Sequence, residues 1–313
     1  MSKTSVNIKL PYRGRFAPSP TGPLHFGSLI AAAGSYLQAR HQQGEWQLRI
    51  EDIDPPREIP GATDDILRTL EAYGFEWDGE VIYQHQRLAI YQDYLQQLIN
   101  EQQTFACTCS RKDINTLLAK SGMQIYPGTC REKMELTGGQ YAYRVIAQNK
   151  NISFNDPLQG LQNFQIQTEI GDFVVKRADG LFSYQLAVAI DDGSMGITEV
   201  VRGSDLLTST PRQIYLQQLL KLNTPGYIHL PVATNAEGQK LSKQTYAPAL
   251  DALNPTSTLW QALTILGQSP LDELKRGSLD ELWQWAITNW NSQSIPRTDA
   301  IVFAENDKTI SVT

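Results

Sequence analysis

The chain has 313 residues, of which 41% are hydrophobic and 19% are charged, and its formal net charge is −6. This balance excludes a single small module and a largely disordered chain, and the negative charge argues against a broad cationic surface that coats nucleic acid, while a local basic strip remains compatible with it. The sequence contains no apolar run long enough to cross a bilayer and no secretory segment, which predicts a cytoplasmic protein without a membrane partner. In that compartment the three cysteines should stay free or hold a metal.

The first predicted strand leads into a proline-rich loop and a helix. Gly22 can serve as the N-cap, and Pro23 has the preset φ that suits a first helical position. His25, Gly27 and Ser28 would then lie on the first turn, where unpaired backbone N–H groups and the helix dipole favour an anion, and Gly27 lets a ligand approach the backbone closely. The stretch predicts a phosphate site, and a proline-rich turn without a ligand is the alternative.

Two predicted strands flank that helix, at 12–17 and 45–50. The order strand, helix, strand is typical of a parallel nucleotide-binding sheet. Functional groups in such sheets lie at the carboxyl ends of the strands, which is where Arg15 and the acidic run 51–54 fall. We therefore expect these side chains to lie near the phosphate site.

The three cysteines fall in a stretch that is rich in turn residues. Cys107 and Cys109 are one residue apart, and Cys130 follows Tyr126. Two thiols at that spacing do not easily form a disulfide with each other, but together with a third thiol they can hold zinc. Three unrelated thiols are equally compatible with this pattern.

The middle of the chain is predicted to be rich in β-structure. Short strand-like runs alternate with turns over 141–176. The apolar run 183–191 then predicts a buried strand, with a turn at Asp192 and Gly193 and a returning strand over 197–202.

A lysine-serine-lysine run extends from Lys240 to Gln244, between a glycine-containing turn and a proline-containing segment. Taken alone, such a run is also compatible with a solvated loop. The tail after it is short and is predicted to be helical over 258–266 and 279–290. Its tryptophans should fill a core, with base stacking as the alternative.

The lead-in from Phe16 to Gly22, the His25-Phe-Gly-Ser28 stretch and the lysine run together resemble the paired HIGH and KMSKS signatures of class I aminoacyl-tRNA synthetases. The lead-in looks like the glutamyl-tRNA synthetase version. Two departures are present: Ser28 replaces the final histidine of the first signature, and Gln244 replaces a serine of the second. With Ser28, phosphate binding survives but a second imidazole is lost. Gln244 could alter closure of the loop, but it leaves Lys243 in place.

The resemblance covers about 13–244 and implies an α/β fold: a Rossmann-like parallel-sheet catalytic domain split by a zinc-containing insertion, with a short helical C-terminal region. We expect four regions: the first half of the catalytic domain (1–104), the insertion with the zinc site and the β-rich segment (105–175), the second half with the lysine loop (176–245) and the helical C-terminal region (246–313).

Such a site would activate a carboxylate with ATP, a reaction in which the carboxylate attacks the α-phosphate and pyrophosphate leaves. The reaction needs charge neutralisation and alignment. His25 would act on the phosphates during transfer, and Lys243 would close over the departing pyrophosphate, with Lys240 as a second candidate. Mg²⁺ should accompany ATP. The predicted ATP-binding residues are His25, Gly27, Ser28, Lys240 and Lys243.

A side-chain carboxylate held between Arg15 and Arg202 would be favoured over a neutral amide, because the amide would leave buried cationic donors unsatisfied. Glu51 could take the ammonium group. Each of these residues also fits an ordinary salt bridge. The glutamyl resemblance implies a glutamate pocket that is lined by Arg15, Phe16, Ala17, Pro18, Ser19, Glu51, Tyr184 and Arg202.

The short tail makes the chain similar to the glutamyl-Q tRNA(Asp) synthetase family, which lacks a large anticodon-binding region. This resemblance implies activation of glutamate without tRNA and its transfer to the queuosine base in the tRNA(Asp) anticodon. It also implies one zinc ion held by Cys107, Cys109, Tyr126 and Cys130, although tyrosine is outside the usual ligand set. We expect a monomer.

Three alternatives stay open. The chain could be a shortened glutamyl-tRNA synthetase that charges a tRNA 3′ end, a non-catalytic synthetase-like protein that binds tRNA, or a small-molecule adenylyltransferase. The presence of His25, Glu51, Lys243 and both arginines argues against the non-catalytic form. The glutamate pocket and the cysteine pattern argue against the small-molecule enzyme.

Overall fold

The structure is a computed structural model that describes residues 11–121, 125–132, 140–235 and 248–302. Lys240 and Lys243 lie outside the described residues. The described strands are β1 (Arg13–Phe16), β2 (Glu45–Ile50), β3 (Ile82–Tyr83), β4 (Thr104–Cys107), β5 (Ala142–Val145), β6 (Asn151–Asp156), β7 (Gly160–Gln165), β8 (Val174–Lys176), β9 (Glu199–Gly203), β10 (Gly226–Leu230), β11 (Val232–Thr234) and β12 (Ala300–Val302). The described α-helices are α1 (Phe26–His41), α2 (Ala62–Ala72), α3 (Leu88–Asn100), α4 (Arg111–Ser121), α5 (Tyr184–Ser194), α6 (Thr210–Leu219), α7 (Pro255–Ile265) and α8 (Leu279–Asn289). Among them, none combines the length and the apolar composition that crossing a bilayer requires.

Parallel strands form the centre of the molecule. β1 pairs with β2 and β2 with β3, and β9 pairs with β10, all in parallel. The N–H of Thr198, just before β9, donates to the carbonyl oxygen of Arg13 at 2.9 Å, which brings β9 alongside β1. The predicted order strand, helix, strand is therefore confirmed, and β2 has the predicted bounds.

Helix α1 packs between the parallel strands and the C-terminal helices. It approaches β10 closely at Gly34, where a Cβ atom would come within 2.5 Å of Leu230 Cδ1. Even alanine would require the side chain of Leu230 to move. This close approach packs the middle of α1 against β10.

The apolar stretch 183–191 forms a helix, so the predicted strand was wrong. The side chain of Ser183 caps α5 by accepting a hydrogen bond from the N–H of Leu186 at 3.3 Å. Asp192 and Gly193, predicted as a turn, belong to this helix. A helix that is buried on nearly every side lacks periodic polar positions, and its sequence therefore resembles that of a buried strand. The returning strand is present as β9.

The predicted β-rich character of 141–176 is confirmed. β5 pairs in antiparallel fashion with both β4 and β8, and β6 forms a hairpin with β7. The antiparallel sheet carries Cys107 at the end of β4. The first strand of the hairpin, β6, ends at Asp156, whose side chain accepts a hydrogen bond from the N–H of His229 on β10.

The C-terminal helices α7 and α8 pack on α1. Trp283 donates from Nε1 to the carbonyl oxygen of Tyr73 at 2.8 Å, and Trp290 donates from Nε1 to Gln38 Oε1 at 2.8 Å. Both indole rings are buried. The prediction that the tail tryptophans fill a core is therefore confirmed for these two residues.

Candidate active site

The loop that joins β1 to α1 produces a capped helix N-terminus. Gly22 has a φ of +134°, which side chains other than glycine rarely adopt. The predicted N-cap, Gly22, was wrong, because His25 is the N-cap and α1 begins at Phe26 instead of Pro23. The Nδ1 atom of His25 accepts a hydrogen bond from the N–H of Ser28 at 3.3 Å, and the N–H of His25 lies 3.4 Å from Ser28 Oγ. Because Nδ1 is an acceptor, the neutral ring carries its proton on Nε2.

A cavity of about 510 Å³ lies beside this N-terminus, where β1, β2 and β9 end. Every residue predicted to bind nucleotide or glutamate, among those that the structure describes, lines it: Arg15, Phe16, Ala17, Pro18, Ser19, His25, Gly27, Ser28, Glu51, Tyr184 and Arg202. The structure thus brings these residues together, and their individual roles stay predictions. Sequence reasoning missed the wall that follows β9 and β10, which contains Gly203, Asp205, Leu206, Leu230, Pro231, Val232 and Ala233.

A buried charge network lies behind the cavity. Asp192 accepts from Arg15 Nε at 3.2 Å and from Arg49 Nη1 at 2.8 Å. Arg49 also reaches Glu51 Oε1 through Nη2 at 3.2 Å. Burial opposes ionisation of Asp192, but the two arginines hold its pKa below the usual range. Burial raises the pKa of Glu51 above the usual range despite the opposing arginines.

Asp191 extends this network away from the cavity. It accepts hydrogen bonds from Gln84 Nε2 at 2.7 Å, from the Tyr91 hydroxyl at 2.8 Å and from Arg87 Nε at 2.7 Å. Arg49 Nε lies 3.7 Å from Asp191 Oδ2, close enough for an ion pair. Sequence reasoning missed this network because it places Asp191 at a strand end and Asp192 in a turn. The sequence also gives no signal that Arg49 contacts either residue.

Arg202 is held on the opposite wall by neighbours that the sequence did not indicate. Its Nε donates to His229 Nε2 at 3.3 Å, and its Nη2 donates to Thr210 Oγ1 at 2.7 Å. Nη1 is buried and has no hydrogen-bond partner in the described part of the chain. Tyr184 lines the same cavity, and burial raises the pKa of its hydroxyl, which therefore stays neutral. Arg202 thus lines the cavity and has one guanidinium nitrogen that no described residue satisfies.

A second, larger groove of about 820 Å³ adjoins the cavity. The two share four lining residues: Ser19, Thr21, Glu51 and Tyr184. Four arginines line the groove: Arg57, Arg111, Arg144 and Arg177. Cys109 lines it as well. The groove therefore joins the cavity to the cysteine-containing region.

The three cysteines and the tyrosine meet in one cluster. The sulfur atoms of Cys107, Cys109 and Cys130 lie within 4.8 Å of one another. The hydroxyl oxygen of Tyr126 is 3.4 Å from Cys107 Sγ and 3.7 Å from Cys109 Sγ, and the sulfurs of Cys109 and Cys130 are 3.5 Å apart. With zinc–sulfur bonds of about 2.3 Å and zinc–oxygen bonds of about 2.0 Å, tetrahedral ligands are separated by distances of this size. The donor set fits a zinc ion.

The thiols of this cluster differ in acidity. Burial opposes ionisation of Cys130, but hydrogen bonds led by that of the Tyr126 hydroxyl lower its pKa to about 6. Burial raises the pKa of Cys109 to about 11. One sulfur of the cluster is therefore already disposed to be a thiolate, the form that binds metals.

The sequence of this chain resembles known proteins over the whole of this site. Residues 12–281 match the family model of the catalytic domain of class I tRNA synthetases (E and Q). The match includes every residue that lines the cavity. The fold and the site define a class I tRNA synthetase catalytic domain.

Similar curated proteins narrow this class. The glutamyl-Q tRNA(Asp) synthetase of Aromatoleum aromaticum is 53% identical over 92% of this chain and 91% of its own length. The protein of the same name from Chromobacterium violaceum is 52% identical over 91% of this chain and 95% of its own length. The chain belongs to the glutamyl-Q tRNA(Asp) synthetase family.

Solved structures agree on the fold. A glutamate-tRNA synthetase from Elizabethkingia anophelis has a TM-score of 0.78 and 26% identity, and the match covers 94% of this chain and 68% of that chain. A glutamate tRNA ligase from Elizabethkingia meningosepticum, in complex with its amino acid, has a TM-score of 0.77 and 26% identity over 94% of this chain and 67% of that chain. The mixed α/β architecture is that of a class I synthetase catalytic domain.

Proposed function

We propose that this chain activates glutamate with ATP and transfers it to the queuosine base in the anticodon of tRNA(Asp). The observation that carries the proposal is the composition of one cavity. A capped helix N-terminus with His25 lies in it together with Arg15, Glu51 and Arg202. The names of the curated relatives support the acceptor.

The glutamate side chain would bind at Arg202. Nη1 of this residue has no partner among the described residues, and a carboxylate would both accept from it and neutralise the guanidinium charge, whereas a neutral amide would leave that charge uncompensated. Arg15 adds positive charge, but its Nε and Nη2 atoms already donate to Asp192. Glu51 would accept hydrogen bonds from the α-ammonium group. These three side chains select an amino acid that has two carboxylates.

Activation joins the α-carboxylate of glutamate to ATP. A carboxylate oxygen attacks the α-phosphorus, the bond from that phosphorus to the bridging oxygen breaks, and pyrophosphate leaves. The Nε2–H group of His25 and the backbone at Gly27 and Ser28 would stabilise the negative charge on the phosphate oxygens. Mg²⁺ bound with ATP would neutralise further charge.

Lys243, with Lys240 as a second candidate, would stabilise the departing pyrophosphate. Both lie outside the described residues, but the flanks of the lysine run support the proposal. Ala233, before the run, lines the cavity, and Ala249, after it, forms an antiparallel bridge with His25. The chain therefore leaves from the cavity and returns to the N-terminus of α1.

Transfer requires a nucleophilic group of the queuosine base to attack the carbonyl carbon of the adenylate. The bond between that carbon and the phosphate oxygen breaks, and AMP leaves. The larger groove would admit this nucleoside, because it reaches the cavity at Ser19, Glu51 and Tyr184. Arg111 would bind a phosphate of the RNA backbone, whereas Arg57 and Arg177 already pair with Asp54.

We infer that Cys107, Cys109, Tyr126 and Cys130 hold one Zn²⁺ ion, which supplies a structural crosslink between β4 and the turn that contains Tyr126. The distances between their donor atoms support this role. We retain the division into a catalytic domain (1–104 and 176–245), an insertion (105–175) and a helical C-terminal region (246–313).

Labelled glutamate and ATP, incubated with tRNA from cells that make queuosine and from cells that do not, test the function. We expect label only in the queuosine-containing pool, and nuclease mapping should place it in the anticodon. Label at the 3′ end or equal label in both pools would instead identify a shortened glutamyl-tRNA synthetase. Absence of glutamate-dependent ATP–pyrophosphate exchange would leave the non-catalytic alternative.

A further inference from the structure

Arg202 is held by a histidine that is itself held by an aspartate. His229, on β10, is fully buried, and its Nε2 atom lies 3.3 Å from Arg202 Nε and 2.9 Å from Thr210 Oγ1. On the other side of the ring, Nδ1 lies 2.7 Å from Asp156 Oδ2, and the backbone N–H of His229 donates to the same oxygen at 2.9 Å. The three residues form a continuous chain of contacts that ends at the cavity.

The contacts fix the proton on the ring. A carboxylate oxygen accepts hydrogen bonds, so Nδ1 carries the proton and Nε2 is the acceptor that Arg202 requires. Burial holds the pKa of His229 below its ordinary value, against the opposing effect of Asp156, and the ring is neutral. A proton on Nε2 would instead point at the N–H group of Arg202 Nε, and no hydrogen bond could form between two donors. Asp156 therefore determines that the histidine can accept from Arg202.

Asp156 is in turn rigidly placed at the end of β6. Its Oδ1 accepts from the backbone N–H groups of Leu158 at 2.8 Å and Gln159 at 3.0 Å, and the residue is buried. Gln159 also donates from Nε2 to the carbonyl oxygen of His229 at 3.0 Å. The hairpin formed by β6 and β7 is thus attached to β10 directly behind Arg202.

These contacts orient the guanidinium group. Nε is bound to His229 and Nη2 to Thr210, which leaves Nη1 as the nitrogen without a partner in the described residues. Arg202 also lies over the ring of Tyr227, with 5.5 Å from Cζ to the ring centroid. A guanidinium held at two nitrogens presents the third in a single direction, which lowers the entropic cost of binding an anion.

We propose that Asp156 and His229 are positioning residues that orient Arg202 for the side-chain carboxylate of glutamate, and that they thereby contribute to the discrimination between glutamate and glutamine. This inference rests on the proposed function, because it takes glutamate as the ligand of Arg202. A purely structural role of the buried pair would affect stability without affecting glutamate in particular.

Two substitutions of the histidine separate these roles. In His229→Asn the amide nitrogen replaces Nδ1 and keeps the contact with Asp156, but no acceptor reaches Arg202. In His229→Gln the longer amide places an acceptor near the position of Nε2. Glutamate-dependent ATP–pyrophosphate exchange should show about a tenfold higher KM for glutamate in His229→Asn, as expected for loss of a hydrogen bond to a charged group, with the KM for ATP within about twofold of wild type. His229→Gln should recover most of the loss.

Specificity provides a second measurement. The ratio of kcat/KM for glutamate to that for glutamine should fall in His229→Asn and recover in His229→Gln. Trp290→Phe is a matched control, since it removes another buried hydrogen bond, to Gln38 on the other side of α1, and should leave the glutamate KM unchanged. An unchanged glutamate KM in folded His229→Asn would overturn the proposal, as would equal rises in the KM values for glutamate and ATP.

Asp156→Asn keeps the test decisive if His229→Asn does not fold. One amide oxygen cannot replace two carboxylate oxygens, so either the turn or the histidine loses its acceptor, and the glutamate KM should rise in the same direction. A glutamate KM within about twofold of wild type in this variant would overturn the proposal. Failure of the wild-type protein to catalyse glutamate-dependent exchange would instead refute the proposed function.

Discussion

Glu51 and Asp192 both contact Arg49, yet the pKa values of the two carboxyl groups shift in opposite directions. The raised pKa of Glu51 means that its ionised form costs stability in the folded state. This cost is absent below the unfolded pKa of about 4.3 and grows as the pH rises towards the folded value. Glu51→Gln should therefore be more stable than wild type at pH 8, with a difference that vanishes near pH 4. Urea unfolding at both pH values measures it.

The same substitution should impair function, because a neutral amide accepts a hydrogen bond from the glutamate ammonium group less strongly than a carboxylate. We expect the KM for glutamate to rise by about tenfold or more, as for loss of a hydrogen bond between charged groups. A stability difference that shrinks with rising pH, or a glutamate KM that does not change, would contradict the role of Glu51.

Asp192→Asn is the matched control and should have the opposite effect on stability. The lowered pKa of Asp192 means that the ionised form stabilises the fold above the unfolded pKa of about 3.9, and this contribution is lost as the pH falls through the folded value. Removing the charge leaves Arg15 and Arg49 with one carboxylate fewer, so a loss of about 3–5 kcal/mol is expected at pH 7. Unfolding that is unchanged at pH 7 would show that the network does not depend on this charge.

At the scale of single elements, α1 allows capping and chemistry to be separated. His25→Ala removes the cap and should lower the free energy of unfolding by about 1 kcal/mol. His25→Asn retains a good capping side chain and should keep nearly wild-type stability. Both variants lose the imidazole donor and should slow ATP–pyrophosphate exchange by about 100-fold, the size expected for a group that stabilises transition-state charge.

Measuring unfolding and exchange on the same preparations distinguishes these contributions. Wild-type exchange in His25→Asn would show that His25 acts only as a cap. Slow exchange that recovers in His25→Asn relative to His25→Ala would show that helix stability limits the reaction.

Elements differ in how far the sequence predicts them. β2 has the predicted bounds, because polar and apolar residues alternate along Glu45–Ile50. α5 was mistaken for a strand, since burial on nearly every side removes the polar positions that mark a helix. The start of α1 was misplaced because His25 caps through a ring nitrogen, which standard cap preferences do not include.

The candidate active site was likewise predictable from the sequence only in part. Arg15, Glu51 and Arg202 could be identified from strand ends and from a family resemblance. Arg49 and His229 could not, because each is defined by a partner far away in the chain: Asp192 for Arg49 and Asp156 for His229. Short-range patterns contain no information about such contacts, which depend on how the strands and helices pack.

At the scale of the whole molecule, the larger groove extends from the cysteine cluster to the candidate active site. Cys109 lines the groove, and Arg144, which also lines it, lies over the ring of Tyr126 with 4.1 Å from Cζ to the ring centroid. None of the four cluster residues lines the smaller cavity. A metal at the cluster should therefore shape the path of the acceptor nucleoside and leave the binding of ATP and glutamate largely intact.

Zinc removal tests this separation. Elemental analysis of the purified protein should give one zinc per chain, and Cys130→Ser should lose it. We expect chelated protein or Cys130→Ser to keep glutamate-dependent exchange within about fivefold of wild type, while transfer to tRNA falls by more than about tenfold, in the range seen when metal-supporting groups are lost. Adding zinc back should restore transfer to the chelated wild-type protein and not to the variant. Equal losses of exchange and transfer would mean that the cluster supports the whole catalytic fold. A metal that shapes the groove alone would reduce transfer and leave the activation of glutamate in the cavity intact.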